Sequence, residues 1–120
     1  MTTPLSILKA ARERLSDPAR WCQNVAARSA TGRALAPTHK AAASWCILGA
    51  VEACANEQGN DGHSIGRVAA LLYSEVKRLR GFGAQTSIYN DTSTHKEVLA
   101  LLDAAIKTAA TDDAGPDSQT

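Results

Sequence analysis

Apolar residues recur at helical spacing through most of this chain, and short polar or proline-bearing stretches break the rhythm into segments. Leu5, Leu8, Ala11, Arg12 and Leu15 fall at intervals of three and four, with Lys9, Glu13 and Arg14 left for solvent, which predicts a helix from Leu5 to Leu15. Asp17-Pro18 ends it, because a residue before proline is pushed out of the helical region. Between Trp21 and Leu35 the period changes. Gln23, Val25 and Ala27 alternate as in a strand, Gly32 supplies the positive φ of a turn, and Arg33 to Leu35 return. A small β-hairpin follows from this pattern, with Trp21 as its anchor on the helices.

Pro37-Thr38 opens a second long helix, predicted to run to about Asn56 with Thr38 as its cap. Its stripe is Ala42, Trp45, Cys46, Gly49, Ala50 and Ala53, widened by Leu48 and Val51. Gly49 among small residues reads as a place where another helix backbone comes close. After a loop from Gln58 to Gly62, Ser64 is the expected cap of a third helix, Ile65 to Arg80. Its expected buried stripe is Ile65, Val68, Ala69, Leu72, Val76 and Leu79. Lys77, Arg78 and Arg80 suit the helix dipole, and Gly81-Phe82-Gly83 stops the helix. Thr86 to Tyr89 reads as a short extended piece, a candidate third strand beside the hairpin. Thr94 and Glu97 form a capping box that opens the last helix, whose stripe is Val98, Leu101, Leu102, Ala105 and Ile106, ending near Thr108.

The expected architecture is therefore α+β and mostly helical: about four helices packed with a small β-hairpin or short antiparallel sheet. Residues 1–108 form one globular domain, and 109–120 a polar tail expected to be disordered. Composition changes this picture little. Much of the 44% apolar content is alanine, so the core is built from small side chains and close contacts. The net charge of +1 hides an asymmetry, since setting aside Asp112, Asp113 and Asp117 leaves 13 basic residues against 9 acidic. That is a mild electropositive surface, short of a dedicated polyanion binder. No apolar run is long enough to cross a membrane, and the first residues lack the features of a secretory peptide, so a cytoplasmic location is expected. Cys22, Cys46 and Cys54 are odd in number and widely spaced, which indicates buried free thiols in place of disulfides or a zinc site.

Three groups of residues are candidates for chemistry. Cys46, with His95 as base and Asn90 or Asp91 as orienter, has the side chains of a cysteine-dependent hydrolase or transferase. Placed two turns inside its predicted helix among small apolar neighbours, Cys46 reads first as a structural thiol. The second candidate is the polar run Tyr89-Asn90-Asp91-Thr92-Ser93-Thr94-His95, which precedes a helix N-terminus where free N–H groups favour an anion or a partner's carboxylate. The same residue types also serve a capped turn. The third is the basic group Arg67, Lys77, Arg78, Arg80 and Lys96, which would give weak nucleic-acid binding through phosphates. No metal motif is present: His39, His63 and His95 are far apart, and Asp61 with His63 supplies at most two ligands. No cofactor signature is found.

Trp45-Cys46-Ile47-Leu48-Gly49-Ala50, then Tyr89-Asn90-Asp91, Thr94-His95 and the segment Glu97 to Ile106 together resemble a family of small bacterial and phage proteins classed as domain of unknown function 6197. The early Leu-Lys-Ala-Ala-Arg stretch and Asp17-Pro18 with Trp21 match the same pattern, so the likeness covers most of residues 5–106. The resemblance implies that Trp45, Cys46, Gly49, Asn90 and Asp91 are signature positions. Family members often carry tryptophan where this chain has Tyr89. It implies no activity, and its phage members are compatible with an accessory or host-modulating role. A non-enzymatic interaction module with a protein partner asks least of the sequence, and an exposed Trp21, Phe82 or Tyr89 would favour it. An enzyme is the second expectation and nucleic-acid binding the third. The oligomeric state is left open.

Overall fold

A computed structural model describes residues 2–59, 62–81, 83 and 85–114, without the side chains of 112–114. The elements in chain order are α1 (Pro4–Arg14), a 3-10 turn (Pro18–Arg20), β1 (Ala27–Ser29), β2 (Ala34–Leu35), β3 (Ala42–Trp45), α2 (Ile47–Glu57), α3 (His63–Arg80), α4 (Thr86–Thr92) and α5 (His95–Ala114). The fold is mostly helical with one small antiparallel sheet of order β2-β1-β3, as the expected fold class has it.

α1 begins where Thr3 accepts the Ser6 N–H and Ser6 returns a bond to the Thr3 backbone, with Pro4 at the first helical position. It buries Ile7, Leu8, Ala11 and the following Leu15 against α2 and α5. The hairpin is present, but its first strand is Ala27–Ser29, and Gln23 and Val25, whose alternation suggested it, precede the strand around an Asn24 with φ +74°. Ala27 faces Leu35, Arg28 faces Ala34, and Gly32 has φ +90° in the turn. α5 starts at the expected capping box, in which the Thr94 N–H donates to Glu97 Oε1 at 2.8 Å and the Glu97 N–H to Thr94 Oγ1 at 3.1 Å. Val98, Leu101, Leu102 and Ala105 are fully buried.

Four expectations are corrected. The stretch Thr38 to Trp45 is not helix. Ala42–Trp45 forms β3, paired to β1 with Ala27 opposite Trp45 and a bulge between Arg28 and Ser29, and α2 starts only at Ile47. Alanine-rich sequence has high helix propensity, but β1 would otherwise lack a partner on one side, and tertiary pairing overrides local preference. Thr86 to Tyr89 is not the third strand. It opens α4, whose buried residues Thr86, Tyr89 and Asn90 have helical spacing that a hydrophobicity pattern misses because two of them are polar. α3 is capped by Gly62 at φ +98°, not by Ser64, which is buried inside its first turn. Leu79 and Ala69 are exposed, since α3 buries the narrower face Val68, Leu72 and Val76. In addition, α5 continues past Thr108 to Ala114 because Ala109 still packs in the core. The remainder of the expected tail, residues 115–120, lies outside the described residues.

Candidate functional site

The β3–α2 junction and α4 bring together most of the residues singled out from the sequence. With α2 shortened, Cys46 becomes its N-cap, and its sulfur accepts the Gly49 N–H at 3.2 Å. The Ile47 N–H, another donor left open at the helix start, is taken by Asn90 Oδ1 at 3.0 Å across from α4. Asn90 is fully buried. Its Oδ1 also accepts the Trp21 indole N–H at 2.8 Å, and its Nδ2 donates to the Cys22 carbonyl at 3.0 Å and to Asp91 Oδ1 at 3.1 Å. One amide thus ties the hairpin entrance, the start of α2 and α4 to each other.

Asp91 has a related task. Its Oδ1 accepts the backbone N–H of Asn24 at 2.7 Å, holding a residue with φ +74° in the left-handed region. Asparagine tolerates that region better than most residues, and the carboxylate fixes it there. Gly49 is also explained, with one correction. The backbone that comes close is not a helix but the Ala26 carbonyl, which a Cβ at position 49 would strike. The Cys46 N–H donates to this same carbonyl at 3.1 Å.

These contacts leave the expected catalytic group unassembled. Cys46 is buried, and burial pushes its thiol pKa up, while nearby Asp91 disfavours the thiolate further. His95 is joined elsewhere: its Nε2 lies 2.6 Å from the Leu15 carbonyl, and its ring is 5.7 Å from that of Trp21. No hydrogen bond links Cys46 and His95 among the described residues. Much of the polar run is likewise engaged within the fold, with Thr92 and Thr94 exposed. Tyr89 is buried and donates its hydroxyl to the Glu97 carbonyl at 3.1 Å, and Thr94 is engaged in the capping box. Trp21 is half-buried and Phe82 lies outside the described residues, so the exposed aromatic surface expected for a partner is not found at Trp21 or Tyr89.

Two of the basic group are engaged within the fold. Arg78 pairs with the buried Glu75 carboxylate, whose other oxygen accepts the Thr108 hydroxyl at 2.8 Å. Arg80 lies over the Tyr89 ring at 4.4 Å and donates to Ser93 Oγ at 2.5 Å. Arg67, Lys77 and Lys96 are solvent-exposed. Among the described residues no cluster of three metal-ligating side chains occurs, and no helix is long and apolar enough to cross a membrane. The Asp61 part of the weak metal pair lies outside the described residues.

A cleft of about 300 Å³ opens beside the junction. Its apolar part is Val25, Pro37 and Leu48, and Cys46 lies in its wall. The charged residues that line it, Glu52 on α2 and Asp91 on α4, are both acidic. Asp91 Oδ2 forms no hydrogen bond among the described residues, and Glu52 is exposed. Ser87 and Ile88 stand exposed on α4, Ile88 at 52%. Sequence reasoning missed Val25, Leu48, Glu52 and Ser87 as one surface, because nothing local joins residues of the hairpin, α2 and α4.

Nothing among curated proteins or solved structures matches the chain. A family model matches residues 1–108, which include the β3–α2 junction and α4 in full: the chain belongs to the family of unknown function DUF6197.

Proposed function

We propose that this protein is a non-enzymatic interaction module whose cleft between α2, α4 and the hairpin receives a partner protein's segment carrying an apolar side chain next to a lysine or arginine. The observation that carries this reading is the pairing of an apolar floor, Val25 and Leu48, with two acidic rims, Glu52 and Asp91. An apolar side chain gains by leaving water, and the flanking carboxylates select a basic neighbour over an acidic one. A cleft of about 300 Å³ admits one or two side chains, which suits a short segment. The upward-shifted, buried Cys46 thiol favours this reading over a cysteine hydrolase, and the engagement of Arg78 by Glu75 and of Arg80 by Ser93 and Tyr89 favours it over nucleic-acid binding.

Selection from a random peptide library on the immobilised protein tests the proposal. Enrichment of peptides with lysine or arginine beside an apolar residue is expected, and Glu52→Lys and Ser87→Arg should each weaken their binding about tenfold or more. Both positions are exposed, so circular dichroism and urea unfolding should match the parent protein. Enrichment of acidic peptides, or affinity unmoved by both substitutions, would sink the reading.

A further inference from the structure

A second cleft, also about 300 Å³, shares Pro37 with the first and has Trp45 in its lining. Arg14 reaches it from the end of α1, Arg20 from the 3-10 turn, and His39 and Lys40 from the turn before β3. The guanidinium carbons of Arg14 and Arg20 lie 4.7 and 5.5 Å from the centroid of the same Trp45 ring. The ring is itself fixed, because its indole N–H donates to the Pro37 carbonyl at 2.9 Å.

Charge in this cleft is unbalanced. Glu57 lies in its lining and binds Arg14 through both oxygens, at 2.6 and 2.7 Å. Arg20 and Lys40 have no carboxylate partner among the described residues. His39 Nδ1 accepts the Ala41 N–H at 2.9 Å, which leaves the proton of the neutral ring on the outer nitrogen, Nε2, as a donor. With Arg14 already paired to Glu57, the charge left over in the cleft is that of Arg20 and Lys40, which an anion bound there would compensate.

We infer that this cleft is a binding site for a phosphate monoester, held by Arg20, Lys40 and His39 beside the Arg14–Glu57 ion pair. A guanidinium from the 3-10 turn and an ammonium and an imidazole N–H from the turn before β3 line this one cleft. A terminal phosphate offers three oxygens to three such donors, whereas a carboxylate offers two. The site is separate from the acidic cleft of the proposed function and stands without it.

Titration of the ¹⁵N-labelled full chain with inorganic phosphate and with adenosine monophosphate, followed by amide and indole N–H shifts, tests the site. Saturating shifts are expected at the Trp45 indole and at His39 to Ala41, with a dissociation constant on the order of 1 mM for phosphate, the reach of two or three charge-assisted hydrogen bonds. The monophosphate should bind more tightly. Arg20→Gln and Lys40→Gln should each weaken binding about tenfold. The side chains of Arg20 and Lys40 are exposed and make no hydrogen bond among the described residues, so both variants keep the fold. Absence of shifts, equal shifts in Arg20→Gln, or shifts scattered over Arg67, Lys77 and Lys96 would overturn the site. An oligonucleotide without a terminal phosphate that binds there more tightly than the monophosphate would assign it to nucleic-acid backbone and overturn the monoester.

Discussion

Asn90 uses all the hydrogen-bonding positions of its amide, two acceptor and two donor, while fully buried. A residue of that kind is an obligation on the fold: removing the side chain strands the Ile47 N–H, the Trp21 indole N–H and the Cys22 carbonyl. Each stranded buried group costs about 1–3 kcal/mol, less whatever water recovers. Asn90→Ala should therefore lower unfolding free energy by about 2–4 kcal/mol, read as a fall in the urea midpoint at unchanged slope. Asn90→Asp should fare little better. It keeps the acceptors but sets a carboxylate against the Cys22 carbonyl and Asp91. A loss under about 0.5 kcal/mol for the alanine variant would show that the amide is not the tie described. The pair Asn90-Asp91 thus has a structural explanation at both positions, and Asp91 Oδ2 is left without a hydrogen bond among the described residues.

At the scale of elements, the junction of β3 and α2 decides the local architecture. Six residues, Trp45 to Ala50, finish a strand, cap a helix with a thiol and bring the Ala26 carbonyl against Gly49. Helix propensity alone says that Gly49→Ala stabilises α2 by about 1 kcal/mol. The geometry says the reverse, because the Ala26 carbonyl is held by the Cys46 N–H and cannot retreat without losing that bond. Net destabilisation of about 1–3 kcal/mol is expected from thermal unfolding, and a raised melting temperature would contradict the close approach. This junction also marks where the sequence ceased to be legible. α1, the hairpin turn at Gly32, the end of α3 at Gly81 and the capping box of α5 announce themselves through caps, proline, glycine and period, all local signals. β3 is written in alanine and serine apart from its last residue, Trp45, and its identity depends on β1, a partner distant along the chain. α4 hides for a related reason, since its inward face is Thr86, Tyr89 and Asn90. The candidate residues were visible one by one, and their division into a buried tie, a cap and two clefts was not.

Across the whole molecule, Cys22, Cys46 and Cys54 are buried before the sheet, at the start of α2 and along α2, all without disulfides. Burial is the first cause of an upward pKa shift at each of them, and it raises that of Tyr89 as well. The small-residue core makes such thiols useful filling, as each is compact and largely apolar. It also couples stability to alkaline pH. A free thiol in the unfolded chain ionises near about pH 8.5, whereas the buried ones hold their protons to higher pH. Below that range both states are protonated and the contribution of the thiols to stability is fully present. As pH rises through it the unfolded chain binds fewer protons than the folded one, so unfolding free energy falls with pH, and the contribution is lost once the folded thiols ionise too. The urea midpoint under reducing conditions should therefore decline between about pH 7.5 and about pH 9.5, roughly one unit on either side of thiol ionisation. Cys54→Ala, which removes one of the three titrating groups, should start from a lower midpoint but decline less steeply. A parent protein whose midpoint stays level across that range would mean that the thiols ionise in the folded state as freely as in the unfolded chain, and with that the case against Cys46 as a nucleophile would fall.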